Sequence, residues 1–219
     1  SVLWSGADIL RSKMDANEYK NYLLGIVFYK YLSDSFLIKV YDMICDDKPE
    51  SLKEALDVYV EELQGEDADE LIKEMKDECH YIIEPELTYT CFADAARNNV
   101  FNREQLQKAF NNIEQSDPIF ADLFADIDLY SNRLGAGDQK QSDTIASLIR
   151  EIDKADLLNT DAEILGNAYE YLIGQFASET GKKAGEFYTP QAVSKILTQI
   201  AIAGQEDKRG LSVYDPCMG

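Results

Sequence analysis

Metal and thiol chemistry have little to work with in this chain. Its single histidine, His80, and four scattered cysteines (Cys45, Cys79, Cys91 and Cys217) offer no Cys-x-x-Cys and no closely spaced ligand pairs. A zinc site needs such pairs, so no metal ligand is assigned, and the thiols are expected to be reduced in or near a core. Cys79 and His80 are neighbours, but adjacency alone is no catalytic geometry, and His80 is read as structural. Basic residues are scarce as well: 21 Lys and Arg stand against 41 Asp and Glu, a formal net charge of −20. A phosphate-binding surface needs clustered Lys and Arg, because counterion release drives that binding, so this segment by itself should repel duplex DNA. Long apolar runs are missing too. The richest stretch, Tyr22 to Tyr31, contains Lys30 and follows Lys20, and falls short of the ~20 residues that a membrane span requires. Nothing at the start resembles a signal peptide, so the expectation is a soluble, cytoplasmic protein with no membrane partner.

What is present is enough for a core. Hydrophobic residues make up 45% of 219 positions, sufficient to bury an interior without disulfides or metals. The acidic excess concentrates between Asp42 and Glu78, notably at Asp46-Asp47, Glu61-Glu62 and Glu66-Asp67-Ala68-Asp69-Glu70. That pattern reads as the solvated face of helices, or as a surface turned toward protein rather than phosphate.

Helical periodicity dominates to about residue 178. Ser5 is placed to cap a short helix carrying Ala7, Ile9, Leu10 and Met14. Asn17 opens a longer one, with Tyr19, Leu23, Ile26, Val27, Tyr31 and Phe36 at spacings of three and four; nearly apolar all round, it is expected to be central and buried. Pro49 is read as a first-turn proline ahead of Leu52, Leu56, Tyr59, Val60 and Leu63. Asp67 to Tyr81 forms another helix, ended by Glu84-Pro85. Residues 82–100 are less regular, with a helix around Phe92 to Arg97. Asn102 and Gln105 form a capping box before Leu106, Phe110 and Ile113, and Asp117-Pro118 starts a short helix. Asp126 to Gln141 is a long loop with a brief strand at Ile127 to Tyr130. Ser142 caps a helix with Ile145, Leu148, Ile149 and Ile152, and Thr160 with Glu163 caps another running to Phe176.

Beyond Phe176 the character changes. Ser178 to Gly185 is small, polar and basic, an exposed loop. Gly185-Glu186-Phe187-Tyr188-Thr189-Pro190 follows, then a helix with Val193, Ile196, Leu197 and Ile200. Thr189 and Pro190 at that helix start would aim free N–H groups and a hydroxyl at an anion such as a carboxylate, with Phe187 and Tyr188 walling an apolar ligand; the alternative is a loop whose aromatics pack on the core. Gly204 to Gly210 is a charged turn. Leu211-Ser212-Val213-Tyr214 reads as the one buried strand, ending in Asp215-Pro216-Cys217-Met218-Gly219. A carboxylate at a strand end followed by a turn to glycine is where α/β sheets bind nucleotide-like ligands, although Asp-Pro is also an ordinary turn dipeptide. One strand cannot make a sheet alone, so the last segment is expected to open an α/β domain whose remainder is absent.

With these two motifs in this order, the chain resembles the modification (methyltransferase) subunit of type I restriction–modification systems, among the N6-adenine DNA methyltransferases. Gly185 to Pro190 matches that family's G-[EQ]-[FY]-[FY]-T-P motif at every position, and Asp215 to Gly219 matches the opening of D-P-x-x-G-[ST]-G-G. Leu165 to Ile173 resembles the helix before the cofactor loop, and Tyr22 to Asp34 the first long helix. The resemblance implies a mainly α fold, with a helical N-terminal domain at 1–177 and the truncated beginning of a Rossmann-like domain at 178–219. It implies S-adenosyl-L-methionine as cofactor in the full-length subunit. Gly185, Glu186, Phe187, Tyr188, Thr189 and Pro190 would form the rim of the site, with Thr189 bonding the methionine portion, and Asp215 and Gly219 the floor. The implied partners are a specificity subunit, a second methyltransferase subunit, a restriction subunit, and DNA in the assembled complex. The family's catalytic [ND]-P-P-[FYW] tetrapeptide, which holds a flipped adenine, is absent, so no catalytic residue is assigned and the fragment alone is expected to be inactive. The rival readings are a stand-alone or nuclease-fused adenine methyltransferase, and an acidic helical interaction module or DNA mimic without catalysis.

Overall fold

The computed structural model describes residues 2–155, 189, 191–205, 208–210, 212 and 214, and the chain divides into two compact units, 1–172 and 173–219. Among the described residues every regular element is helical. The first unit contains α1 (Val2–Arg11), α2 (Ala16–Ile44), α3 (Leu52–Glu62), α4 (Ala68–Cys79), α5 (Tyr89–Arg97), α6 (Arg103–Ser116) and α7 (Asp138–Ile152), with single 3-10 turns at Pro85–Leu87 and Pro118–Phe120.

α2 is the axis of this unit, with α1, α3, α4, α5 and α7 packed on it. Tyr19, Leu23, Ile26, Tyr29, Phe36, Leu37 and Val40 are buried around its circumference, as a helix that is apolar all round requires. Its 29 residues run beyond the Phe36 at which the sequence pattern thins, because Leu37, Val40 and Tyr41 keep meeting neighbours; extended backbone at Cys45 ends it. Where the chain passes closest, α2 carries Gly25: a Cβ there would lie 1.9 Å from Cδ1 of Ile127. The aromatic core is built on this axis. Phe110 stacks on Phe124 at 4.0 Å, and Tyr29 meets both edge-on.

Buried tyrosines close the polar ledger of the irregular segments. Tyr29 donates its hydroxyl to the Leu87 carbonyl, Tyr59 to Ile83, Tyr81 to Leu32 and Tyr89 to Ile149, all in the interior. Segment 81–88 therefore lies inside the unit without orphaned carbonyls at those points, and each ring adds apolar burial to the bond it makes. At the centre, Lys30 and Asp34 form an ion pair at 2.5 Å with side chains 4% and 1% exposed, and the Lys30 ammonium lies over the Tyr89 ring.

Several local expectations are corrected. Ser5 lies within α1 rather than capping it, and α2 begins at Ala16, with Asp15 in the cap position. Pro49 precedes α3 instead of sitting in its first turn: the cap is Ser51, whose hydroxyl accepts from Glu54 N–H while the Glu54 carboxylate accepts from Glu50 N–H. This is the reciprocal device of a Ser-x-x-Glu start, and it outcompetes the proline signal because it satisfies two amides. α4 stops at Cys79 with His80 left-handed at φ 65°, well before Glu84-Pro85. Asn102 does cap α6, accepting from Glu104 N–H. Ser142 is no cap: α7 starts earlier, at Asp138, and Ser142 is a buried residue of its second turn. The strand at Ile127–Tyr130 is a run of turns, with Ile127 N–H bonded to Phe124 and Ser131 N–H to Asp128. Its in–out alternation is real, Ile127 and Leu129 buried and Asp128 and Tyr130 exposed, but no partner strand supplies a ladder. The helix expected from Thr160 to Phe176 lies outside the described residues.

Candidate functional site

The second unit contributes α8 (Gln191–Ile202). Val193, Ile196, Leu197 and Ile200 recur at helical spacing and form one apolar stripe, all of it exposed, Ile200 to 68%. α8 ends as the sequence suggests. Gly204 takes φ 75°, a left-handed conformation that closes a helix without the Cβ penalty, and Gln205 N–H returns to the Ile202 carbonyl.

Of the candidate site residues, only Thr189 is described; Gly185, Glu186, Phe187, Tyr188, Pro190, Asp215 and Gly219 lie outside the described residues, as do Leu211 and Val213. Thr189 is exposed two positions before α8. The first-turn N–H groups of a helix have no partner four residues back, so this end carries positive potential. No acidic side chain lies in the first turn of α8. An anionic group of a ligand, such as an amino-acid carboxylate, fits there chemically. Of the expected strand, Ser212 and Tyr214 are described; both are exposed and neither belongs to a ladder.

The polar groups of the helical unit have structural work instead. Arg103, its side chain 5% exposed, donates to the carbonyl and carboxylate of Asp138 and stacks on Tyr130 at 4.5 Å, tying α6 to the start of α7. Lys13 reaches the Leu134 carbonyl and the Thr144 hydroxyl. Neither tie nor the Lys30–Asp34 pair was singled out from sequence, although a Lys and an Asp four apart on a helix apolar all round signal a buried pair. His80 is exposed and lies 3.6 Å from Asp117. Cys45, Cys79 and Cys91 are free thiols, and burial raises the Cys79 thiol above its ordinary range, which disfavours the nucleophilic thiolate. Among the described residues no cluster could hold a metal ion, and no helix is long and apolar enough to cross a membrane.

Comparison with known proteins gives two family matches in series: residues 1–152 match the HsdM N-terminal domain and residues 160–219 match N-6 DNA Methylase. The MpnII type I restriction enzyme methylase subunit of Mycoplasma pneumoniae is 29% identical over 99% of this chain and 41% of its own length. The MjaVIII methylase subunit of Methanocaldococcus jannaschii is 30% identical over 100% of this chain and 33% of its own. A crystal structure of the type I restriction-modification system methyltransferase subunit from Streptococcus thermophilus superposes with a TM-score of 0.88 at 51% identity, over 96% of this chain and 44% of that one. The chain thus spans roughly two-fifths of the length of these relatives.

Proposed function

Because this chain belongs to the HsdM N-terminal domain family and continues into an N-6 DNA Methylase sequence, we propose that it is the N-terminal part of the methyltransferase subunit of a type I restriction–modification system. The observation that carries the reading is the order of features within one chain. A helical unit is followed by Gly185–Pro190, then by α8, then by Asp215–Gly219, the last three inside the second family match.

In this reading the whole subunit transfers a methyl group from S-adenosyl-L-methionine to adenine N6 in DNA, the sulfonium methyl being what the bound cofactor supplies. Thr189 and the amino end of α8 hold the methionine carboxylate by hydrogen bonds and dipole. Phe187 and Tyr188 wall the site, Glu186 and Pro190 shape its rim with Gly185, and Asp215 and Gly219 form the floor, where glycine lets the backbone approach the ligand. Residues 1–219 contain no [ND]-P-P-[FYW] sequence to grip the adenine amino group, so by themselves they do not catalyse transfer. The charge of −20 implies that phosphate contact is made by other parts of the subunit or by its partners, which are a specificity subunit, a second methyltransferase subunit and a restriction subunit.

A chimera tests this reading: residues 1–219 replace the matching part of the Streptococcus thermophilus subunit, supplied with its specificity subunit. Transfer of tritiated methyl to adenine N6 is expected, with Thr189→Ala and Asp215→Ala each lowering it by ~10-fold or more through lost cofactor contacts. A folded chimera that binds no S-adenosyl-L-methionine, or full activity in both variants, would sink the assignment.

A further inference from the structure

We draw no further inference here: the strongest candidate, the exposed apolar stripe that Val193, Ile196, Leu197 and Ile200 form along α8, is a helix face for which nothing in the structure shows what covers it.

Discussion

The two units of this chain differ in the two quantities that shape a protein surface, charge and apolar exposure. Residues 173–219 hold five Lys or Arg and five Asp or Glu, so the whole net charge of −20 falls on residues 1–172. The acidic unit hides most of its apolar residues, with Leu23, Ile26 and Phe36 of α2 inaccessible, although Val100 and Ile119 stand exposed. The neutral unit displays them, with the stripe Val193, Ile196, Leu197 and Ile200 open along α8. A helix with that stripe has the sequence pattern of a buried element.

Substitutions can break this contrast, beginning where the effect is greatest. Asp34→Leu leaves the Lys30 ammonium buried without its carboxylate, and a loss of about 3–5 kcal/mol is expected in urea unfolding. The double variant Lys30→Met/Asp34→Leu should recover most of it; equal loss in both would show that packing rather than charge sets the cost.

Alkaline pH comes next. Burial pushes the Tyr59 phenol up to about 12 from an ordinary value near 10, and raises Tyr29 and Tyr81 as well. A folded value above the unfolded one means that stability is complete below about pH 10 and falls as pH rises toward 12, by an order of 2–3 kcal/mol for this phenol alone. Phenolate absorbance and helical circular dichroism should therefore change together. Tyr59 ionising in a still-helical protein would refute the burial argument.

Gly25→Ala puts a methyl group where Ile127 already sits, and thermal unfolding should show a loss of about 1–3 kcal/mol despite the better helix propensity of alanine. A stabilised variant would mean that Ile127 moves aside freely. The smallest effect is the most diagnostic. Ile200→Asp on α8 should change the stability of this chain by less than ~0.5 kcal/mol, since the side chain is exposed. A cost of several kcal/mol would show that the α8 stripe is covered in solution, and the contrast between the units would fall.

Much of the helical unit was legible because periodicity reports burial directly. α2, α3, α6 and α7 follow from apolar residues three and four apart, and Asn102 marks the cap of α6. Sequence and structure diverge where a local pattern has two structural solutions. Pro49 reads as a first-turn proline while Ser51 holds the cap, and the alternation at Ile127–Tyr130 suggests a strand because a turn that anchors every second residue has the same period. The two motifs, Gly185–Pro190 and Asp215–Gly219, were legible for another reason: they lie within the part of the chain that matches N-6 DNA Methylase, and their residue types follow a fixed pattern rather than a helical or strand period.

By itself, then, the sequence determined the helical class, the segregation of charge, the place where the character changes after Phe176, and the family that the two motifs announce. Only the tertiary structure decided that Lys30 finds Asp34 inside the core, that Arg103 bridges to Asp138 across 35 residues, and that Ile119 and Tyr130 face outward while Phe124 and Ile127 face inward. Local propensity and ligand chemistry act through neighbours in the chain, and so are written in it. Long-range pairing depends on which surfaces meet once the helices are packed, and no local pattern encodes that.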